Sequence, residues 1–223
     1  MTEDKPILAI ETSESLCSTA VYLSNERYFQ SIIRDKLSHA EKLIDSIEFS
    51  LKISGFKIGE CSGIAVSAGP GSFTGLRIGM SAAKGLALGA ELPIIPVPTF
   101  EAMALQISEY LEEGNEFIVA NKVNSEEAYY ASFKVIANKA IFVDKLKVIK
   151  KSDFQINTST LVFGNVFWEN NIRNKINWNV TAPDAVHVAR WAKTFGQKLA
   201  TNDFDYLEPE YHKNFVIKVK KRA

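Results

Sequence analysis

The sequence has 223 residues, 46% of them hydrophobic, so it is long enough to fill one large core or two smaller ones. Its 26 Lys and Arg residues balance its 26 Asp and Glu residues, which argues against a partner chosen by overall charge, such as nucleic acid or an anionic membrane. Cys17 and Cys61 lie far apart in apolar segments, which favours free buried thiols. The sequence has no run of about 18 apolar residues, and its start, MTEDK, lacks the profile of a secretion signal. We therefore expect a cytoplasmic protein.

The first quarter of the chain predicts a β-meander and then a helix. Strand-like composition covers residues 7–13, 17–24 and 27–34, with a turn at 24–26. Ser38 and Glu41 have the spacing of a capping box, which predicts a helix over 38–54 with Gly55 as its stop. The apolar residues of that helix form one stripe: Leu43, Ile44, Ile47 and Leu51. The helix should therefore cover a core.

Alternating elements follow, and then the pattern repeats. We predict a buried strand over 63–69, a glycine loop, a helix over 74–89, a strand over 93–97 and a helix over 99–111. A second meander at 117–123, 128–136 and 140–149 repeats the first. A strand at 160–164 and a turn at Gly164-Asn165 follow it. The last predicted element is a helix that opens at Thr181–Pro183 and stays apolar on one face to Leu199. This layout is that of the actin, sugar-kinase and Hsp70 class. We predict that duplicated α/β fold, with a mixed sheet and flanking helices in each lobe, and lobes at residues 1–100 and 101–223.

The glycine loop SAGPGSFTGLRIG, residues 67–79, has two interpretations. Glycines let several backbone amides turn inward at a helix N-terminus, where an anion or nucleotide phosphate can bind. The candidate residues for such a site are Glu11, Thr12, Ser13, Gly69, Gly71, Ser72 and Thr74. The loop is not a Walker A motif, and its glycine spacing differs from Gly-x-Gly-x-x-Gly. The alternative is a tight strand-to-helix turn with Ser72 or Thr74 as the N-cap.

The helix after the loop carries a row of very small side chains. Every fourth residue from Gly75 is small, through Gly79, Ala83 and Ala87, so another backbone can approach closely. The interior glycines Gly79 and Gly85 together cost about 2 kcal/mol, which close packing has to offset. Because the helix is apolar nearly all round, it should be buried on two sides. We expect its own sheet and the helix over 38–54 to cover it, and we expect what remains exposed to receive a partner.

Catalytic signals are few. The histidines His39, His187 and His212 are isolated and read as helix-start, helix-surface and tail residues, so we expect no metal site. Glu11 ends the first strand, where this fold class commonly places an acidic residue near a phosphate or metal, but it is equally a turn residue. The basic tail at 218–222 could contact RNA phosphates or remain solvated.

Four segments resemble one family. ILAIETS at 7–13, SHAEKLIDSI at 38–47, AGPGSFTGLRIGMSAAKGLA at 68–87 and IPVPTFEAMA at 95–104 look like TsaB (YeaZ), a bacterial subunit of tRNA threonylcarbamoyladenosine biosynthesis. Weaker similarity continues in VFGNVFWENN at 162–171 and APDAVHVARWA at 182–192. The chain departs from the family at two places: Ala120-Asn121-Lys122 replaces the usual Asp-Ala-Arg, and Tyr211-His212-Lys213 replaces Tyr-Leu-Arg.

The resemblance implies a non-catalytic paralogue of TsaD, the subunit that transfers a threonylcarbamoyl group to adenosine 37 of tRNAs reading ANN codons. TsaD-like proteins carry a metal-binding His-x-x-x-His pair, and this sequence has none. The resemblance also implies that the first-lobe helices dock TsaD, that the ATPase TsaE joins the assembly, and that the chain forms a homodimer when alone. tRNA would then be reached through the complex, with ATP or ADP as a candidate ligand at the partner interface.

Two hypotheses follow from the sequence. The first is a scaffold subunit that is not an enzyme by itself, whose partner interface comprises His39, Leu43, Ile44, Ile47, Gly75, Leu76, Gly79, Met80 and Ala83. The second is a nucleotide-dependent phosphotransferase of the same fold that uses Glu11 and the loop from Gly69 to Gly75. Titration with Mg-ATP separates them, because a kinase should bind it in the range of ordinary enzyme substrates.

Overall fold

The computed structural model describes residues 5–35, 39–154, 160–166, 176–177 and 180–210, which form two five-stranded sheets. The first contains β1 (Ile7–Glu11), β2 (Cys17–Ser24), β3 (Arg27–Ile33), β4 (Gly63–Gly69) and β5 (Ile94–Pro98), in the order β3-β2-β1-β4-β5. The second contains β6 (Glu116–Lys122), β7 (Glu127–Ile136), β8 (Lys139–Lys150), β9 (Leu161–Gly164) and β10 (Ile176–Asn177), in the order β8-β7-β6-β9-β10. Each sheet joins an antiparallel meander to two parallel strands. This repeat confirms the predicted duplicated α/β fold.

Four helices surround and separate the sheets: α1 (His39–Ser54), α2 (Phe73–Ala90), α3 (Thr99–Ser108) and α4 (Ala185–Thr194). The apolar sides of α1 and α2 cover one face of the first sheet. α4 covers the opposite face of that sheet, and α3 packs mainly on the second sheet. The lobe boundary stays a prediction. All strands of the first sheet precede residue 100 and all strands of the second follow residue 101, but α4, from the second half of the chain, packs on the first sheet.

The predicted helix ends are partly wrong in the second half. α4 does not open at Thr181, because Asp184 is its N-cap and accepts a hydrogen bond from the His187 backbone N–H at 3.0 Å. Its predicted extension to Leu199 is also wrong. The helix ends at Thr194, since Phe195 leaves the helical backbone conformation at φ −122°, and a short 3-10 turn follows.

The first-half helix ends agree better with the sequence. Ser72 is the N-cap of α2, and its hydroxyl accepts a hydrogen bond from the Gly75 N–H at 3.3 Å. α1 stops before Gly55, whose φ of +76° suits glycine and whose N–H donates to the Leu51 carbonyl oxygen at 3.1 Å. Ser38, which would complete the capping box, lies outside the described residues.

The row of small residues on α2 packs inside its own lobe. Gly75, Gly79, Ala83 and Ala87 are buried, and a Cβ on either glycine would overlap Thr12 at the end of β1. The Thr12 hydroxyl donates to the Gly75 carbonyl oxygen at 2.8 Å, which fixes this close approach. The predicted close packing is confirmed, but the prediction that the row docks a partner is wrong, because the chain itself occupies it.

Four larger residues of the predicted interface are also wrongly assigned. Leu43, Ile47, Leu76 and Met80 are at most 3% exposed, and all but Leu76 belong to the apolar cluster on the first sheet. They therefore belong to the core of this lobe and offer almost no surface to a partner.

A pair of alanine substitutions tests this packing. Gly75→Ala should lower the free energy of unfolding by about 1–3 kcal/mol, because its Cβ would overlap the Thr12 carbonyl oxygen. Gly85→Ala, in the same helix, should raise it by about 0.5–1 kcal/mol, since nothing lies within 4 Å of the point that the new Cβ would occupy. Urea denaturation of both variants measures the difference. Equal effects would contradict the packing described for α2.

Candidate functional site

α1 and α2 leave an apolar groove open between them on the surface of the first lobe. The groove is lined by Ala40, Leu43, Ile44, Phe73, Thr74, Arg77, Ile78, Ser81 and Ala82. Ile44 is 45% exposed and Phe73 is 38% exposed, although both are large apolar side chains. Ala40, Ser81 and Ala82 are small residues of its walls. We call this surface the α1–α2 groove.

Of the nine predicted interface residues, Ile44 is the one that the structure exposes in the groove. Leu43 reaches the lining but is 1% exposed, and the side chain of His39 lies outside the described parts of the chain. The sequence missed Phe73 and Arg77, whose guanidinium lies 4.2 Å from the centre of the Phe73 ring. Phe73 was not predicted to belong to the interface, because it precedes the predicted start of the helix by one residue.

Some backbone amides of the glycine loop have acceptors inside the chain. The Ser72 N–H donates to the Ser13 carbonyl oxygen at 2.6 Å, and the Gly69 N–H donates to the Thr99 hydroxyl at 3.1 Å. Gly71 lies against Ser13, so that a Cβ there would overlap its carbonyl oxygen. These contacts favour a tight strand-to-helix turn. The anion site stays a prediction, and the contacts count against it.

Glu11 places a fully buried carboxyl group beside this loop. It accepts hydrogen bonds from the Ser13 backbone N–H and the Ser67 hydroxyl. Burial raises the pKa of Glu11 to about 7, even though both hydrogen bonds act to lower it. When ionised, the carboxylate would repel a phosphate placed in the loop. The bond from the Ser13 N–H agrees with the prediction that Glu11 is a turn residue, although its carboxyl group is buried. A role for Glu11 near a phosphate or metal stays a prediction.

The comparisons with known proteins agree with this architecture. A family model described as TsaD, tRNA N6-adenosine threonylcarbamoyltransferase, matches residues 35–146, which is half of the chain. TsaB of Escherichia coli is 35% identical over 130 residues, and TsaB of Haemophilus influenzae is 33% identical over 125 residues. A Pseudomonas aeruginosa crystal structure, described as similar to the peptidase YEAZ, superposes with a TM-score of 0.77 at 18% identity, over 94% of this chain and 100% of that one. This chain belongs to the TsaB (YeaZ) family.

The match to the bacterial TsaB proteins is partial. It covers 56–57% of this chain and 52–54% of the E. coli and H. influenzae proteins, so the chain spans about half the length of these curated relatives. The P. aeruginosa structure extends the similarity of fold, though not of function, across both lobes.

The departure from the TsaB pattern at Ala120-Asn121-Lys122 has a structural role in this chain. Asn121 is fully buried; its side-chain oxygen accepts from the Asn165 N–H at 3.1 Å, and its amide donates to the Thr181 carbonyl oxygen at 2.9 Å. Asn165 in turn donates from its side chain to Glu14 of the first lobe at 2.9 Å. Asn121 therefore holds the predicted Gly164-Asn165 turn that joins the two lobes. The other departure, at 211–213, lies outside the described residues.

The interpretation of His187 as an isolated surface residue is wrong. It is 6% exposed, with Nδ1 at 2.7 Å from Asp184 Oδ1 and Nε2 at 3.2 Å from Glu109 Oε2, and Arg190 pairs with the same glutamate. Burial acts to raise the pKa of Asp184, but the hydrogen bonds and charge of His187 outweigh it and lower that pKa. This cluster ties α4 to the end of α3. Sequence spacing could not reveal it, since Glu109 is 78 residues from His187.

Among the described residues, no three His, Cys, Asp or Glu side chains are placed to hold a metal ion. No helix in the same ranges is long and apolar enough to cross a membrane.

Proposed function

We propose that this chain is a non-catalytic scaffold and activator subunit of the complex that forms N6-threonylcarbamoyladenosine at position 37 of tRNAs reading ANN codons. It acts in the cytoplasm, and it docks a TsaD-like catalytic subunit through the α1–α2 groove. Membership of the TsaB family and the TsaD model match support the pathway. On this proposal the chain is not an enzyme by itself, and its contribution is to hold the catalytic subunit in an active assembly.

The observation that carries the proposal is the groove itself. Ile44 and Phe73 leave apolar surface in water beside small residues such as Ala40 and Ala82, and burying that surface on a partner is favourable. Arg77 at its edge provides a cation that can pair with a carboxylate of the partner. A related subunit of the same fold would offer a matching helix pair.

The same proposal assigns the remaining partners. A TsaE-like ATPase joins the assembly, the chain forms a homodimer through the α1–α2 groove when it is alone, and tRNA is reached through the complex. ATP or ADP remains a candidate ligand at the partner interface, because Thr74 belongs both to the glycine loop and to the groove lining. There a partner could supply the positive charge that the loop lacks beside Glu11.

Reconstitution tests the proposal directly. A TsaD homologue and a TsaE homologue from the same organism, supplied with unmodified tRNA and the threonylcarbamoyl donor, should give little modified tRNA until this chain is added. Mass spectrometry of the digested tRNA measures the product, and size-exclusion chromatography measures the complex. Full modification without the chain, or modification by the chain alone, would overturn the scaffold assignment.

The alternative, a phosphotransferase, requires the isolated chain to bind nucleotide. An ionised Glu11 opposes phosphate, and the Gly69 and Ser72 amides already have acceptors inside the chain. We therefore expect no saturable binding of Mg-ATP to the isolated chain at concentrations typical of enzyme substrates. Calorimetric titration measures this, and the same titration of the complex reports on an interface site. Saturable binding to the chain alone would revive the phosphotransferase hypothesis.

A further inference from the structure

A pocket of about 280 Å³ lies among α3, α4 and β8, away from the α1–α2 groove. Its lining is mainly apolar and includes four aromatic side chains, those of Phe133, Phe142, Trp191 and Phe195, and Glu101 of α3 adds a carboxyl group. Apolar pockets with a few fixed polar groups, placed between lobes, are the usual form of small-molecule sites. Nothing in the proposed scaffold function uses this pocket.

The rings come from separate parts of the fold. Phe133 and Phe142 are cross-strand partners on β7 and β8, with ring centroids 4.5 Å apart. Trp191 of α4 and Phe195, just after it, have centroids 5.9 Å apart and planes inclined by 51°. Phe195 is 47% exposed while Phe133 is 1% exposed, so the pocket runs from an accessible rim to a closed floor. Faces of aromatic rings attract cations.

Glu101 determines which ligand would fit. Its Oε2 accepts a hydrogen bond from the Trp191 indole N–H at 3.1 Å, and no Lys, Arg or His among the described residues forms an ion pair with it. Burial raises the pKa of Glu101, and the nearby Glu210 carboxylate acts in the same direction. A carboxylate so placed gains most from an incoming cation, because a cation offsets its lost hydration. Lys139 also lines the pocket but is not within ion-pair distance of Glu101.

We propose that this pocket binds a small organic ammonium ion that carries an apolar substituent. The ammonium group donates to the Glu101 carboxylate, and the substituent packs against Phe133, Phe142 and Trp191. The negative charge of Glu101 favours a cation over a neutral molecule. The aromatic walls favour a cation with an apolar substituent over ammonium itself, because ammonium would not cover the rings.

Phenethylammonium and its neutral analogue, phenethyl alcohol, test this proposal with the full-length chain. Calorimetry or chemical-shift titration should show saturable binding of the amine in the millimolar range, and binding of the alcohol about tenfold weaker, the effect of one hydrogen bond to a charged group. Glu101→Gln keeps an acceptor for the Trp191 indole and removes the charge, so it should abolish the preference for the amine. Chemical-shift changes should centre on the Trp191 indole signal.

Three controls separate this proposal from other outcomes. Ala140→Leu, on the pocket wall, should block binding of both probes. Lys139→Gln should leave binding of the amine equal or tighter. Ile44→Asp, in the α1–α2 groove, should change the binding of neither probe. Each variant is checked by its thermal melt. Equal binding of both probes would show an apolar cavity without cation selection and overturn the proposal. So would no binding of the amine up to about 10 mM, or amine binding that survives both Glu101→Gln and Ala140→Leu in folded protein.

Discussion

Ile44→Asp should abolish co-purification of this chain with a TsaD-like catalytic subunit while leaving the chain folded. Ile44 is 45% exposed in the α1–α2 groove, so an aspartate is hydrated in the free chain. In the proposed complex the same carboxylate would lose its water, while Arg77, the cation of the groove, pairs with a carboxylate of the partner. An unpaired charge buried at an interface costs about 3–5 kcal/mol, which corresponds to a loss of affinity of more than about 100-fold. Pull-down and analytical sizing measure that loss, and modification of tRNA should fall with it.

Ile32→Asp is the matched control. Ile32 is 53% exposed on β3, the edge strand of the first sheet, and lies outside the groove lining. The substitution adds the same charge to the same lobe, and charged residues are well tolerated on edge strands. Association should therefore stay within about twofold of the unmodified chain, since the contact lies elsewhere. If Ile44→Asp binds normally, or Ile32→Asp fails equally, the partner does not use the groove.

The fold could be predicted from the sequence because its signals are local and repeated. The two meanders, the buried strand GIAVSAG and α2 all lie within one or two residues of their predicted bounds. Each rests on residues that are neighbours in the chain: the strand-like composition of β2, the Ser72 cap and the glycine stop after α1. Equal spacing of the two halves then predicts the same topology twice. Helix bounds farther along the chain were less accurate: α3 ends at Ser108, three residues before its predicted end, and α4 begins after its predicted start. The predicted end of α4 fails because apolar periodicity continues through Phe195 and Leu199 after the backbone has left the helix.

The candidate site could be predicted only in part. The small-residue row of α2 correctly predicts a close approach, but periodicity identifies the face of a helix and not the surface that covers it. The covering surface is Thr12 and the strand beside it, which are more than 60 residues away in the chain. The groove, in contrast, lies on the exposed side of the same two helices. Its elements were therefore predicted correctly, while most of the residues assigned to it were not.

Long-range polar contacts are the other part that the sequence does not reveal. Glu11 meets Ser67 across 56 residues, and Asn121 meets Asn165 across 44. Such contacts follow from the register of the sheets, since β1 lies beside β4 and β6 lies beside β9. Once the topology is known, the carboxyl ends of these parallel strands bring the polar residues together.

The stability of the chain should fall as the pH rises from about 4.5 to 7, because of Glu11. Its pKa is about 7 in the folded chain, against 4.5 for the ordinary carboxyl group. Below pH 4.5 both the folded and the unfolded chain hold the proton, so the burial carries no ionisation penalty. As the pH rises, the unfolded chain releases this proton first and gains stability relative to the folded chain. Above pH 7 the penalty is complete, at about 3 kcal/mol for a shift of this size. Cys17, whose pKa burial raises to about 11, stays neutral throughout this window.

Glu11→Gln should remove that dependence. The glutamine can accept from the Ser13 N–H through its oxygen and donate to the Ser67 hydroxyl through its nitrogen, so both contacts of the carboxyl group have a counterpart. At pH 8 the variant should therefore be more stable than the unmodified chain by up to about 3 kcal/mol, and at pH 4.5 the two should be nearly equal. Urea denaturation at several pH values measures this, with the exposed Glu48→Gln on α1 as a charge-matched control that should leave the profile unchanged. If the variant loses as much stability between pH 4.5 and pH 8 as the unmodified chain does, Glu11 is not the group responsible. A variant destabilised equally at every pH would show instead that the carboxyl group holds the end of β1 in a way that the amide cannot.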